Sequence, residues 1–180
     1  MDATDDGMRW RSFALLCLAV VGLLISLDLA AFQVGLAGPP WDPLFGDGSR
    51  RVLTSDLSRL LPIPDAAVGA GAYLVEAVLS AALVIRPSGL TRAAIALAVV
   101  ASIGAAIGAV LLAYQVLVVG AACTLCVASA VVSWVLAGGA IVEARERRLG
   151  RSSSTHDQGG DRGPRSPGST AHSSKEPVTT

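Results

Sequence analysis

Charge is scarce in this chain. Asp, Glu, Lys and Arg together make up 16 % of its 180 residues, against 52 % apolar residues, and the mean hydropathy is +0.59. That balance excludes an ordinary soluble domain of this size. Cysteine and histidine are scarcer still, with three of the first and two of the second. His156 and His172 sit in a polar C-terminal stretch far from Cys123 and Cys126. One CxxC supplies only two of the four ligands a structural zinc needs, so no metal is expected. The formal net charge is zero, which leaves no basic excess for a nucleic-acid partner.

What remains is apolar and runs in blocks. Phe13–Ala37, Ala66–Ile85, Thr91–Ala113 and Ala121–Val142 are runs of 20 to 25 residues. Each is long enough to cross a ~30 Å hydrocarbon core as a helix. The sequence therefore predicts an all-α integral membrane protein, a bundle of four transmembrane helices. Small residues such as Gly104, Ala105, Gly108 and Ala109, then Gly138 and Gly139, let such helices approach closely. Arg9 and Arg11 precede the first run as they would in a secretory signal. The run is too long for one and ends without a small-x-small cleavage site, so a retained helix is expected.

Arginine placement predicts the orientation. Arg9 and Arg11 precede the first span, Arg86 and Arg92 flank the link between the second and third, and Arg145, Arg147 and Arg148 follow the fourth. The Tyr114–Gly120 link carries no basic residue. The positive-inside rule then puts both termini in the cytoplasm, and the 38–65 loop and the Cys123 end of the last span on the outer face of the cell membrane. The expected organisation is a cytosolic N-terminus at 1–12, a membrane domain at 13–143, and a disordered cytosolic tail at 144–180. The last 31 residues are dominated by Ser, Thr, Gly, Pro and charge.

Chemistry concentrates in Cys123-Thr124-Leu125-Cys126. Cysteines three apart on a helix lie close enough to form a disulfide. In the first turn of a helix starting near residue 121, Cys123 would have its thiolate stabilised by free N–H groups and the helix dipole. The bland alternative is that both are small apolar residues that fell into a helix. Cys17, near the opposite face, reads as packing. Asp28 and Glu76 lie inside spans with no Lys or Arg at comparable depth. Each is either a protonated acid bonded to a neighbouring helix or part of a proton relay.

The 38–65 loop has its own pattern. Trp41 and Phe45 suit the membrane interface, and Gly46-Asp47-Gly48-Ser49 is a turn signal. Apolar residues at 52, 53, 57, 60 and 61 are spaced as on a short amphipathic helix. Pro62 and Pro64 hold the chain extended before Asp65, which suits an N-cap of the second span. The loop is expected to cap the outer end of the bundle.

Taken together, CTLC at the last span, Val52-Leu-Thr-Ser55 in the loop, Pro64-Asp-Ala-Ala-Val-Gly69 and Tyr73 make the chain resemble the vitamin K epoxide reductase family over roughly residues 13–143. The resemblance implies a membrane thiol–quinone oxidoreductase. Cys126 would meet the quinone (menaquinone or ubiquinone), while Cys123 pairs with it and exchanges with incoming thiols. Asp65, Tyr73 and Ser55 would belong to the quinone-binding region. Asp65 stands where the family places an asparagine, and Ala130 where many members have a tyrosine. Many members also carry two loop cysteines that shuttle electrons from a thioredoxin-like envelope partner; those places hold Trp41 and Ser49 here. The implied function is electron transfer between such a partner and a quinone through the CxxC disulfide. Its alternatives are reduction of a quinone epoxide at the same site, or a scaffold of the same fold without enzymatic activity.

Overall fold

Four apolar helices and one short capping helix form the molecule. A computed structural model describes residues 3–55, 64–86 and 90–157. In chain order these are α1 (Ala3–Gln33), α2 (Gly48–Leu53), α3 (Asp65–Ile85), α4 (Thr91–Tyr114) running into a π-helical turn (Gln115–Val119), and α5 (Thr124–Asp157). The segments long and apolar enough to cross a membrane are Gly7–Gln33, Asp65–Ile85, Thr91–Val119 and Thr124–Leu149. The expected count of four holds. Among the described residues there is no strand.

The helices form a square in which α1 packs on α3, α3 on α4, α4 on α5 and α5 back on α1. The core is built of alanines and leucines, including Ala19, Leu83, Ala94, Leu97, Leu136 and Ala140. Large apolar side chains such as Leu24, Val78, Ile107 and Val135 stay exposed. An apolar exterior around a narrow core suits lipid, where packing rather than water exclusion holds helices together.

Tyr73 spans the centre of this square. Its hydroxyl donates to the Ser129 carbonyl oxygen at 2.8 Å and makes a second bond, at 2.6 Å, with Ser133 Oγ. Its ring lies against Gly22, where a Cβ would fall 2.2 Å from Tyr73 Cε1. Glycine at 22 is therefore what lets α1 close over the tyrosine.

Two segment ends differ from the sequence-based expectation. The helix that carries CTLC continues to Asp157, so the expected 143/144 boundary falls inside it. Glu143, Ala144 and Arg147 are buried there. Arg147 Nε donates to Glu143 Oε1 at 2.8 Å, and Ser12 Oγ donates to the same oxygen at 3.2 Å. Arg11 also pairs with Glu146. Charges that hydropathy treats as the end of a span are neutralised by one another, which lets the helix run on. The short loop helix begins at Gly48, inside the stretch expected as a turn. Val52 and Leu53 are buried as their spacing predicts, while positions 57, 60 and 61 lie outside the described residues.

Candidate functional site

The site sits where α2, the 121–123 stretch and the ends of α1, α3 and the π turn converge. Leu29, Val52, Leu53 and Cys123 form its buried centre, flanked by Phe32, Ala66, Val119, Leu125 and Cys126. All three cysteines are free thiols.

Cys123 lies one residue before the helix instead of inside its first turn, and this strengthens the expected effect. Its carbonyl accepts the Val127 N–H at 3.0 Å, and its Sγ accepts the Cys126 N–H at 3.2 Å. The sulfur thus occupies the place that Ser or Asp usually takes as an N-cap. The Cys126 side chain also hydrogen-bonds the Cys123 sulfur, and Ser49 does so from α2. Led by the bond from Cys126, and against burial, these contacts pull the Cys123 thiol from its ordinary 9.0 down to about 7. A thiolate is therefore available near neutral pH.

The cap over this sulfur is complete. Cys123 is 0 % exposed and Ser49 1 %, and a Cβ at Gly48 would fall 2.1 Å from the Ala122 carbonyl oxygen. Only a glycine lets α2 rest directly on the backbone before Cys123. Asp42 holds the cap down. Its Oδ2 accepts the Ser49 N–H at 2.8 Å and the Ser49 hydroxyl at 2.6 Å, and its Oδ1 accepts the Phe45 N–H at 3.0 Å. The Thr124 hydroxyl, on α5 itself, donates to the same carboxylate. Burial would raise the Asp42 carboxyl, but the bonds from Ser49, Thr124 and the two amides outweigh it and hold the group well below the usual carboxylate range.

On the other side of the dithiol, Cys126 is half-buried and the Gln115 side chain reaches it. Gln115 is buried in the π turn, and its Oε1 has no hydrogen-bond partner among the described residues. An orphaned amide oxygen beside the Cys126 thiol is an acceptor waiting for a donor. Asp65 is near enough to Cys126 to act on it electrostatically. It is the first residue of α3, with Pro64 in the cap position. Its Oδ1 accepts the Ala66 N–H at 2.9 Å and the Gln33 amide, so it satisfies one first-turn donor without being the N-cap itself.

The remaining expected residues divide. Tyr73 places its hydroxyl on α5 one turn beyond Cys126, bonded to Ser129 and Ser133. Ser55 closes α2, its hydroxyl donating to the Val52 carbonyl at 2.7 Å. Ala130 packs against Gly108 of α4. The two acids inside spans part company: Asp28 is exposed on the outer face of α1, while Glu76 is buried with no hydrogen-bond partner for Oε2 among the described residues. Cys17, expected to pack, is exposed.

Sequence reasoning missed Asp42, Gln33 and Gln115. Asp42 precedes Pro43 and lies three residues before the amide it accepts, a local turn pattern that was available to find it. Gln33 and Gln115 are lone amides at the ends of apolar runs, and that isolation was their only signal.

A comparison with curated proteins finds no match. The vitamin K epoxide reductase family matches residues 13–141, which takes in every spanning segment's core, the cap and the CTLC dithiol. With a four-helix membrane bundle closing over a single paired dithiol, the chain belongs to the vitamin K epoxide reductase family of multi-pass membrane oxidoreductases.

Proposed function

We propose that the protein is a thiol–quinone oxidoreductase that takes electrons from a thioredoxin-like envelope protein and passes them through Cys123 and Cys126 to a quinone in the bilayer. The observation that carries this proposal is the placement of the two sulfurs. One caps a helix beneath a polar lid, and the other faces Gln115 and the apolar interior.

The electron balance is simple. The reduced pair gives two electrons and two protons to the quinone, which leaves as quinol, and a Cys123–Cys126 disulfide forms. A partner thiolate then attacks Cys123 Sγ, and Cys126 departs as the thiolate. The partner's second thiol attacks the mixed disulfide and releases Cys123. The partner leaves oxidised, and the pair is reduced again.

The chain's own residues fit a quinone beside Cys126. Gln115 offers both an amide donor for a quinone oxygen and a free acceptor for the quinol hydroxyl. Asp65, held by Gln33, borders the same space, and Phe32, Ala66 and Leu125 supply apolar walls. Tyr73 works by fixing the turn of α5 just past Cys126, and Ser55 by ending the cap helix.

Where many relatives have a loop cysteine, this chain has Ser49, and Ser49 bonds Cys123 directly. The serine contacts Cys123 but cannot carry electrons as a thiol does. A partner must therefore displace α2 and meet Cys123 itself, which makes Asp42 the latch to be opened.

The test is quinone reduction by purified protein with a small dithiol as donor. Wild type is expected to turn over, and Cys126→Ala and Cys123→Ala to fall by at least about 1000-fold, the usual scale for losing a reacting group. A wild-type protein that reduces no quinone with any dithiol would leave the fold as a scaffold. Reduction of a quinone epoxide but not of the quinone would favour the epoxide reaction at the same sulfurs.

A further inference from the structure

A groove of about 410 Å³ opens between α4 and α5 at the end of the bundle opposite Cys123. Its walls are Ile95, Val99 and Ile103 on α4 and Ile141 on α5, and its mouth carries Arg145 and Arg148. The one hydroxyl in it, Ser102 Oγ, donates to the Ala98 carbonyl at 2.6 Å, so the floor offers no free polar group. The groove is therefore apolar along its length and cationic at one end.

The arginines at this end fall into two sets. Arg147 is buried and paired with Glu143, and Arg11 is paired with Glu146. Those pairs use the carboxylates of Glu143 and Glu146. Arg145 and Arg148 are exposed and have no ion-pair partner among the described residues. Arg92, also exposed, lies one turn before Ile95 and on the same face of α4 by helical spacing. Two uncompensated guanidinium groups at the water boundary, above an acyl-sized apolar trough, complement one chemistry: a phosphate attached to a hydrocarbon chain. Basic pockets between membrane helices recognise anionic lipid in this way.

We propose that this groove is a binding site for an anionic phospholipid, with an acyl chain along Ile95, Val99, Ile103 and Ile141 and the phosphate held by Arg145 and Arg148. The lipid would fasten α4 to α5 at the end away from the dithiol. The site is independent of the proposed redox reaction.

The experiment uses the full chain, purified in detergent and stripped of lipid, in native mass spectrometry. It is titrated with phosphatidylglycerol, with phosphatidylcholine of the same chains, and with soluble glycerol phosphate. Wild type is expected to retain phosphatidylglycerol in preference to phosphatidylcholine and to hold glycerol phosphate poorly. The preference should fall roughly five-fold for each arginine removed in Arg148→Gln and in Arg145→Gln/Arg148→Gln, the scale of one basic side chain near an anionic headgroup. Ile103→Trp, which fills the trough, should weaken both lipids alike. Equal retention of the two lipids by wild type would overturn the proposal, and that result needs no variant. So would a preference unchanged in the double variant, or glycerol phosphate binding as well as the lipid.

Discussion

The two ends of the bundle solve the problem of polar groups near a membrane in opposite ways. At the far end, Ser12, Glu143 and Arg147 bury a charge and its partner together, with Glu143 Oε1 accepting from both Ser12 and Arg147 while its Oε2 has no hydrogen-bond partner among the described residues. At the dithiol end a single carboxylate, Asp42, holds down a six-residue helix through neutral donors, and Gln115 keeps a free acceptor. The first arrangement is locked, because breaking it strands a buried charge. The second can open, because each bond it loses is one that water can replace once the cap lifts. Under the proposed function, stability sits at one end and exchange at the other.

The largest effect expected from disturbing this contrast is at the locked end. Arg147→Leu leaves Glu143 buried without its cation, a loss of about 3–5 kcal/mol, read as a lower unfolding midpoint in detergent. Below that midpoint, quinone reduction should stay near wild type. A variant that keeps its stability would show that the far end is not the lock.

Loosening the cap should have a smaller and different signature. Gly48→Val drives a side chain into the Ala122 carbonyl, so α2 must lift and Cys123 should react with a water-soluble maleimide at least about ten-fold faster. Asp42→Asn keeps the shape but removes the charge and turns one accepting oxygen into a donor facing a backbone N–H, a loss of about 1–3 kcal/mol, and should also speed labelling. Labelling unchanged in both would mean that the cap does not control access.

The smallest effect is in pH. The Cys123 thiol lies lower in the folded protein, near 7, than its ordinary 9.0. The folded reduced state therefore favours the thiolate. The stability this adds is fully present above about pH 9 and is lost as pH falls through about 7. The thiolate absorbance of Cys123, read as wild type minus Cys123→Ala, should rise with a midpoint near pH 7. Adding Ser49→Ala should move that midpoint upward. A midpoint near 9 would contradict the assigned hydrogen bonds.

Much of this was legible from residue order, because lipid imposes a simple rule. Four apolar runs gave four helices, and CTLC lay at the start of the last. Val52 and Leu53 turned inward as their spacing required. What escaped was set by partners distant in the chain. Glu143 and Arg147 read as the end of a span until Ser12 is brought beside them. Asp42 reads as a loop acid until Thr124 meets it. Asp28 and Glu76 look alike in sequence, yet helix rotation sends one outward and the other into the core.

The most direct test of the central claim is a single-turnover titration of fully reduced protein with quinone and no added donor, counting quinol formed against thiols lost. About one quinol per chain is expected, with Cys123 and Cys126 protected from alkylation as a disulfide while Cys17 stays reactive. Quinone left unreduced, or quinol formed with Cys123 and Cys126 still alkylatable, would contradict it.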